Sequence, residues 1–251
     1  MERLKDKVAI VTGGALGIGR VFSSGLANEG ARVVVADIDE QAAGSLAAEL
    51  AQAGHECLAL RVDVADEAST REMARRALER FGRIDILVTC AAIYAGLARK
   101  PFLEIDLEEW NRVLAVNLTG VQLSAKAVLP AMKEQAAGVI MTMGSVNTVL
   151  APEGRAHYSA GKAALENLTK TLAREMGPSG IRVNCLSPGL VRTGRASLVP
   201  DERYERTASE RALRRELLPE DLVGPLVFLC SDDARMVTGH TLVVDGGQVF
   251  V

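Results

Sequence analysis

Tyr158 and Lys162 lie four residues apart in the second half of this 251-residue chain. On a helix, where successive residues turn by about 100°, two residues four apart lie one above the other on one face. A phenol has an unperturbed pKa of about 10, and a neighbouring positive charge favours its anion, which draws proton transfer toward working pH. The pair therefore predicts an acid–base site, although the same spacing also occurs on solvated helix faces.

A glycine-rich segment, Thr12-Gly-Gly-Ala-Leu-Gly-Ile-Gly19, follows the first apolar run of the chain. Glycine at positions Gly13, Gly17 and Gly19 leaves the backbone bare where a helix begins, and a helix N-terminus of this kind binds a pyrophosphate. The spacing is Gly-x-x-x-Gly-x-Gly rather than Gly-x-Gly-x-x-Gly, and an ordinary tight strand-to-helix turn has similar residues. We predict a nucleotide-binding turn here.

Asp37 ends the second apolar run, eighteen positions after Gly19. A carboxylate here can accept hydrogen bonds from both hydroxyls of an adenosine ribose and repels a 2′-phosphate, which favours NAD over NADP. Ile38 follows, where an arginine would favour the phosphate. An aspartate that caps a helix or turn is the alternative. The pair Asp63-Val64, after the third run, is a weaker candidate for contact with the adenine.

Short β-branched apolar runs alternate with longer helical patterns along the whole chain, as in repeated βαβ units. The near-continuous apolar runs indicate strands buried on both faces. We predict one domain over residues 1–251, a Rossmann-like doubly wound α/β fold with a seven-stranded parallel sheet flanked by helices on both faces. The predicted strands are Val8 to Thr12, Arg32 to Ala36, Glu56 to Val62, Ile84 to Thr89, Gly138 to Met143, Ile181 to Leu186 and Thr241 to Val244. The predicted helices are Gly17 to Gly30, Glu40 to Ala53, Glu67 to Phe81, Leu107 to Glu134, Tyr158 to Met176 and Glu220 to Leu229.

The stretch from Leu190 to Leu218 breaks this alternation. It has no strand pattern, but a short amphipathic helix is allowed by Tyr204, Ala208, Leu213 and Leu217. A segment this long between a strand and the next helix is more often functional than filler. We predict a substrate lid at about residues 190–218, with a passive surface excursion as the alternative.

Composition and charge narrow the classes of partner. Hydrophobic residues make up 48% of the chain and aromatic residues 4%, as expected where thin helices pack on a parallel sheet. The formal net charge of −3, without long runs of either sign, disfavours nucleic acid and anionic membranes as partners. The first apolar run is too short for a signal peptide or a membrane span, so we expect a cytoplasmic protein. The scattered cysteines and histidines predict reduced thiols and no metal site.

With these features in order, the whole chain resembles the short-chain dehydrogenase/reductase family. The motifs that carry the resemblance are Thr12-Gly-x-x-x-Gly-Ile-Gly19, Asp37, Asp63-Val64, Asn117, Ser145, Tyr158-x-x-x-Lys162, Pro188-Gly189-Leu-Val-Arg-Thr193 and Thr238-Gly-His-Thr-Leu-Val-Val-Asp-Gly-Gly247.

The resemblance implies a nicotinamide oxidoreductase with a catalytic tetrad of Asn117, Ser145, Tyr158 and Lys162. Tyr158 would exchange a proton with the substrate oxygen, and Ser145 would hold that oxygen. Lys162 would bind the nicotinamide ribose and favour the tyrosinate, and Asn117 would anchor a water that relays the proton. The residues implied to bind NAD are Gly13, Leu16, Gly17, Ile18, Gly19, Asp37, Asp63, Val64, Cys90, Ala91, Tyr158, Lys162, Val191 and Thr193.

One segment departs from the family pattern. Family members usually have Asn-Asn-Ala-Gly after the fourth strand, whereas this chain has Thr89-Cys90-Ala91-Ala92. The usual asparagine side chains tie neighbouring strands together, and Thr89 and Cys90 cannot reproduce two amide hydrogen-bond sets. We expect weaker local cohesion of the sheet, with backbone at Cys90 and Ala91 still in contact with the cofactor.

The expected substrate is a secondary alcohol or its ketone. Three alternatives remain open: a 3-oxoacyl-thioester reductase, a sugar or hydroxy-acid dehydrogenase, and a non-catalytic nucleotide-sensing protein. Arg155 and Arg195 could attract an anion, but exposed arginines are usually only solvated, so a neutral substrate is favoured. The residues expected to line the substrate pocket are Ile93, Tyr94, Asn147, Thr148, Arg155, His157, Leu190 and the lid from Gly194 to Leu217.

The resemblance also implies a homotetramer. Family members commonly pair the helices that match Leu107 to Glu134 and Tyr158 to Met176, and the ends of the seventh strand, across two-fold axes. The apolar tail Gln248-Val-Phe-Val251 favours such a partner, because fully burying Phe250 or a valine is worth roughly 1.5 to 3 kcal/mol. A frayed terminus is the alternative.

Overall fold

A seven-stranded parallel sheet forms the centre of the computed structural model, which describes residues 2–94, 96–193 and 199–251. The strands are β1 Val8–Thr12, β2 Arg32–Asp37, β3 Cys57–Arg61, β4 Ile86–Thr89, β5 Gly138–Met143, β6 Ile181–Pro188 and β7 Thr241–Val244. Their order in the sheet is β3-β2-β1-β4-β5-β6-β7. Thr12 pairs with Ala36 on one side and with Thr89 on the other, so the carboxyl ends of the central strands lie level.

Helices cover both faces of this sheet. They are α1 Gly17–Asn28, α2 Glu40–Gln52, α3 Glu67–Phe81, α4 Leu107–Leu114, α5 Gly120–Glu134, α6 Asn147–Leu150, α7 Ala156–Met176, α8 Asp201–Glu210 and α9 Val223–Cys230. Alternate strand residues enter two separate cores: Val11 and Val33 pack with α1, α2 and α9, while Ile10 and Val34 pack with α3, α5 and α7. The predicted doubly wound α/β fold is confirmed.

Aspartate side chains start several of these helices. Asp39 Oδ1 accepts a hydrogen bond from the Ala42 amide at 2.9 Å, and Asp106 Oδ1 accepts one from the Glu109 amide at 2.7 Å. Each bond satisfies one of the amides that a helix N-terminus leaves without an intrahelical partner. Gly82, at φ 74°, ends α3 in the left-handed conformation that glycine adopts without strain. The boundaries of α2, α3 and α4 therefore follow from local capping chemistry.

The predicted helix from Leu107 to Glu134 has an interruption. A π turn over Ala115–Thr119 separates α4 from α5. The sequence pattern did not indicate this turn, so the single predicted helix is corrected to two helices joined by it. By length and composition this helix, Leu107–Glu134, could cross a membrane, and among the described residues it alone passes that test. Its α5 part packs on α3, β4 and β5, which accounts for its apolar side chains.

Candidate active site

A cleft of about 950 Å³ opens at the carboxyl ends of β1 and β4. These strands are neighbours, yet the chain continues from β1 to β2 on one side and from β4 to β5 on the other. Ligands of open parallel sheets bind at such a switch point. Every residue that the family resemblance implies to bind NAD lines this cleft, and so does Ser145.

The glycine-rich turn forms one wall of the cleft. Gly13 and Gly17 have φ angles of 62° and 55°, in the left-handed region. A Cβ added at Gly13 would lie 2.6 Å from the Ala91 Cα, and one added at Gly19 would lie 1.9 Å from the Gly13 carbonyl oxygen. No side chain caps α1, whose N-cap residue is Leu16. The amides of its first turn therefore remain available to an anion.

Asp37, buried at the end of β2, faces the same cleft. Its Oδ2 accepts a hydrogen bond from the Ala15 amide at 3.0 Å, and its Oδ1 accepts one from the Asp39 amide at 3.1 Å. Asp39, and not Asp37, caps α2. Since a carboxylate oxygen can accept more than one hydrogen bond, the two contacts fix the orientation of Asp37 and leave it able to accept more.

Tyr158 and Lys162 are buried on the first turns of α7. The Lys162 Nζ donates to the Met143 carbonyl at 2.6 Å and lies 5.7 Å from the centroid of the Tyr158 ring. Burial raises the pKa of Tyr158 above its usual value, and a hydrogen bond with Ser145 and the charge of Arg155 oppose that rise. Burial also lowers the pKa of Lys162. Without a bound ligand, the Tyr158 phenol is therefore protonated. The effect of desolvation on its pKa exceeds the lowering that was expected from the charge of Lys162.

Ser145 is placed by the backbone that extends the sheet beyond β5. The Gly144 amide donates to the Leu186 carbonyl at 2.8 Å, and the Val146 amide donates to the Pro188 carbonyl at 3.1 Å. The Ser145 Oγ accepts from the Asn147 amide at 3.2 Å. Ser145 therefore uses an acceptor position of its hydroxyl on the protein and keeps its proton for a partner in the cleft.

Asn117 lies within the π turn, fully buried and behind the cleft wall. Its Oδ1 accepts from the Ile93 amide at 2.7 Å, and its Nδ2 donates to the Ile93 carbonyl at 3.1 Å. Both ends of the amide are thus used to hold one backbone segment beside Tyr158. The side chain is a positioning group here.

Thr89 and Cys90, which stand where the family usually has two asparagines, still connect β4 to its neighbouring strands. Thr89 Oγ1 donates to the Met141 carbonyl of β5 at 3.3 Å, and the Cys90 amide donates to the Thr12 carbonyl at 3.0 Å. The buried Thr12 Oγ1 has no hydrogen-bond partner within the described part of the chain. Burial raises the pKa of Cys90 to about 12, so the thiol stays neutral. The Thr89 side chain therefore supplies one hydrogen bond between β4 and β5, and the Thr12 hydroxyl has no partner among the described residues.

The expected substrate residues separate into two groups. Those that line the cleft are Ile93, Tyr94, Asn147, Arg155 and Leu190. Thr148 and His157 lie outside it, which corrects the sequence-based expectation. The Thr148 hydroxyl bonds to Glu166 Oε1 at 2.9 Å, and the fully buried His157 pairs through Nε2 with Glu109 Oε1 at 3.0 Å. His157 is adjacent to Tyr158 and Thr148 is adjacent to Asn147, but adjacent helix residues point to different sides.

The predicted lid contains the helix α8, which lies against the cleft. Arg192 anchors its start through an ion pair with Asp201, at 2.7 Å between Nη1 and Oδ1, and stacks over Tyr204. Gly194 and Arg195 lie outside the described residues. Other cleft residues, which the sequence did not indicate, are Leu97, Arg99, Met143, Leu150 and Gln248. They come from a loop, from β5, from α6 and from the C-terminal segment, which no short motif connects.

Comparison with known proteins settles the family. A family model described as "Enoyl-(Acyl carrier protein) reductase" matches residues 13–248. A crystal structure titled "Short-chain dehydrogenase/reductase SDR:Glucose/ribitol dehydrogenase" from Brucella melitensis has a TM-score of 0.92 at 33% identity, with 99% of each chain covered. This chain is a short-chain dehydrogenase/reductase.

Two relatives within the short-chain dehydrogenase/reductase family carry names that describe ring alcohols. The chain is 38% identical to cis-4-hydroxycyclohexanecarboxylate dehydrogenase of Sinomonas cyclohexanicum, over 100% of this chain and 99% of that protein. It is 36% identical to 2,5-dichloro-2,5-cyclohexadiene-1,4-diol dehydrogenase of Sphingobium indicum, over 98% of this chain and 97% of that protein. As a short-chain dehydrogenase/reductase with dehydrogenase relatives over its full length, the chain is an oxidoreductase.

Proposed function

We propose that this enzyme oxidises a cyclic secondary alcohol with NAD and reduces the corresponding ketone with NADH. The observation that carries the proposal is the convergence of Asp37, Ser145, Tyr158 and Lys162 on one cleft. The ring in the substrate is taken from the two named relatives. The proposed partner is a small-molecule substrate, and we propose no nucleic-acid or membrane partner. We also propose that the protein is a cytoplasmic homotetramer.

The cleft fits a dinucleotide. A Cβ added at Gly17 would face Thr193 Cγ2 at 3.8 Å, so any larger side chain would enter the space between the turn and the opposite wall. The uncapped start of α1 would receive the pyrophosphate, and Asp37 would receive the adenosine ribose. Hydride exchange is the chemistry that a nicotinamide cofactor supplies there when bound. The protein must supply position and a route for one proton.

Tyr158 supplies that proton route. In alcohol oxidation its phenolate accepts the hydroxyl proton of the substrate, while Ser145 donates its own hydrogen bond to the same oxygen. In ketone reduction the neutral phenol donates the proton. Lys162 is held by the Met143 carbonyl at 2.6 Å, where its charge can stabilise the phenolate as it forms. A relay of the proton to solvent would use backbone near Asn117, whose side chain is already committed to Ile93.

The alternative of a 3-oxoacyl-thioester reductase has less support. Such enzymes usually take NADPH, and the buried Asp37 would place a negative charge against the 2′-phosphate. A sugar or hydroxy-acid dehydrogenase differs from the proposal only in the substrate, and a non-catalytic protein would not need a Tyr158 with a Ser145 partner.

The test is a steady-state screen of cyclic secondary alcohols, sugars and linear hydroxy acids with NAD and with NADP. We expect cyclohexanol-type alcohols to be oxidised to ketones, with a higher kcat/KM for NAD. A higher kcat/KM with NADP would overturn the cofactor assignment. Sugar oxidation without oxidation of any simple ring alcohol would overturn the substrate class.

A further inference from the structure

Arg155 stands at the start of α7, three residues before Tyr158, with only 6% of its surface exposed. Its Nε and Nη1 are buried and have no hydrogen-bond partner in the described part of the chain. The guanidinium carbon lies 4.9 Å from the centroid of the Tyr94 ring, and that ring lies 4.9 Å from the ring of Tyr158. The charged guanidinium of Arg155 thus lies in the wall of the cleft. The ring of Tyr94 contacts both this group and Tyr158, the proposed acid–base residue.

Two arginines outside the cleft, Arg182 and Arg211, differ from Arg155 because each donates hydrogen bonds to two backbone carbonyls. Arg211 is 2% exposed, and its Nε is also unpaired within the described part of the chain, but its Nη2 donates to the Leu190 carbonyl at 2.7 Å and its Nη1 to the Arg215 carbonyl at 3.0 Å. The part-buried Arg182 donates to the carbonyls of Ser231 and Val237. The fold therefore supplies acceptors where a guanidinium has only a structural role. Leaving a buried charge without such a partner costs several kcal/mol in general, and a guanidinium cannot escape this by losing its proton.

The charges around Arg155 do not compensate it. The other ionisable groups that act on it are Arg99 and Arg203, which are also positive, and the phenols of Tyr94 and Tyr158. Burial and the two neighbouring arginines lower the pKa of Arg155. Glu202, the carboxylate of α8 that borders the cleft, is exposed and already in water. Among the residues that the structure describes, this end of the cleft is therefore positive and has no internal counter-ion.

Apolar side chains line the space next to this charge. Those that border the cleft there are Ile93, Leu97, Leu150 and Leu190. They suit a hydrocarbon body, whereas the planar donor array of a guanidinium suits a carboxylate.

We propose that Arg155 binds a carboxylate of the substrate, which is then an alicyclic secondary alcohol, or its ketone, with an acid group on the ring. This inference rests on the proposed oxidation of a cyclic alcohol, and it replaces the neutral substrate expected from sequence. That expectation assumed an exposed arginine, and the structure buries Arg155. The carboxylate holds one end of the ring at Arg155, and the carbinol at the other end then meets Tyr158 and Ser145.

Binding of unreactive probes tests the site independently of turnover. Cyclohexanecarboxylate and its neutral amide would be titrated into the NADH-saturated enzyme by calorimetry. We expect the carboxylate to bind wild type at least about tenfold more tightly than the amide, as one charged hydrogen-bonded contact warrants. Arg155→Gln should remove that preference, Arg155→Lys should keep part of it, and Arg76→Gln, an exposed control on α3, should leave it unchanged. Equal binding of acid and amide to wild type would overturn the proposal, as would an unchanged preference in Arg155→Gln.

Thermal unfolding separates this role from a structural one. Arg155→Gln removes an uncompensated buried charge, so its Tm should stay at or rise above the wild-type value. Arg211→Gln removes hydrogen bonds to two carbonyls, and its Tm should fall. A fall for Arg155→Gln as large as that for Arg211→Gln would assign Arg155 to the structure and overturn the carboxylate site.

Kinetics show whether the proposed function or only this inference fails. We expect wild type to oxidise the ring hydroxy acid, 4-hydroxycyclohexanecarboxylate, with a kcat/KM about tenfold or more above the value for cyclohexanol. The difference should lie largely in KM and should be lost in Arg155→Gln. Oxidation of cyclohexanol without any preference for the acid would overturn the carboxylate site and leave the proposed oxidation standing. Tight, Arg155-dependent binding of cyclohexanecarboxylate with no oxidation of any alcohol would support the anion site and overturn the proposed oxidation.

Discussion

The two ends of the cleft differ in how the chain satisfies its own polar groups. At the cofactor end, each oxygen of Asp37 accepts a backbone amide, and Gly13 and Gly19 pack too closely for any side chain. At the substrate end, two buried nitrogens of Arg155 have no partner among the described residues, and burial raises the pKa of Tyr158, which favours the neutral phenol. At the cofactor end, contacts within the chain already satisfy the polar groups and fix the backbone. At the substrate end, a bound ligand must supply the missing hydrogen-bond partners. Substitutions at the two ends should therefore fail in different ways.

The largest effect is expected from Tyr158→Phe at the substrate end. The change removes the proton route but leaves the glycine turn and Asp37 intact. Because positioned acid–base groups contribute on the order of 10² to 10⁴ in rate, kcat should fall by at least that range while the Kd of NADH stays near the wild-type value. Steady-state kinetics and fluorescence titration of NADH measure the two quantities. Turnover of Tyr158→Phe close to that of wild type would contradict the assignment of Tyr158 as the acid–base residue. A different catalytic group would then have to be sought.

The raised pKa of Tyr158 gives this prediction a pH signature. Oxidation needs the phenolate, whose fraction rises with pH while pH is below the pKa, so kcat/KM for oxidation should rise with pH. Reduction needs the neutral phenol, which the raised pKa preserves, so it should stay flat near neutrality and fall only at alkaline pH. Parallel pH profiles in both directions would count against Tyr158 as the titrating group.

Gly19→Ala should give the next largest effect, at the cofactor end. Its Cβ would lie 1.9 Å from the Gly13 carbonyl oxygen, so the backbone of the turn must move. Overpacking of this kind typically costs about 1 to 3 kcal/mol, and we expect a lower Tm together with a Kd of NADH raised at least about tenfold. Calorimetric unfolding and NADH titration report the two effects.

Gly44→Ala is the matched control for Gly19→Ala. Gly44 lies within α2, and an added Cβ meets nothing within 4 Å. Alanine is about 0.8 to 1.0 kcal/mol better than glycine in a helix, so this variant should be slightly more stable and bind NADH as wild type does. Normal NADH binding by Gly19→Ala would show that the turn can relax, and would refute the close packing as the basis of the cofactor end.

Asp37→Ala should produce a smaller, selective change. Removing the carboxylate removes repulsion of a 2′-phosphate and also hydrogen bonds to the ribose, so the NAD to NADP ratio of kcat/KM should fall about tenfold or more. Asp63→Ala serves as a comparison, because Asp63 Oδ1 already accepts the Ala65 amide at 2.9 Å and its contact with the adenine is the weaker expectation. A wild-type ratio in Asp37→Ala would remove the physical basis for predicting NAD.

The same contrast explains what could be predicted from sequence. The strands, their parallel arrangement and the positions of Gly19 and Asp37 were predictable, because close backbone approach and apolar periodicity restrict residue types locally. The burial of Arg155 was not predictable, since it depends on Tyr94 and on helices distant in the chain. Neither was the π turn, where Asn117 meets Ile93 across 24 positions. The lack of a partner for the Thr12 hydroxyl among the described residues was not predictable either, since it depends on the geometry of neighbouring strands.

The smallest effect is expected outside the cleft, at the chain's final residues. Asp245 holds the backbone of this tail by accepting the amides of Gly247 and Val249, both at 2.8 Å, yet Phe250 is 86% exposed and Val251 85% exposed within one subunit. An anchored backbone that presents exposed apolar side chains favours a partner surface over a frayed end.

Burying Phe250 is worth roughly 1.5 to 3 kcal/mol, so Phe250→Asp should weaken the proposed tetramer about tenfold or more, while Phe250→Leu should assemble nearly as wild type does. Light scattering over a dilution series measures this, with deletion of Val249 to Val251 as the stronger form of the same change. A wild-type monomer at micromolar concentration would refute the oligomer, and unchanged assembly of the deletion variant would refute only the role given to the tail.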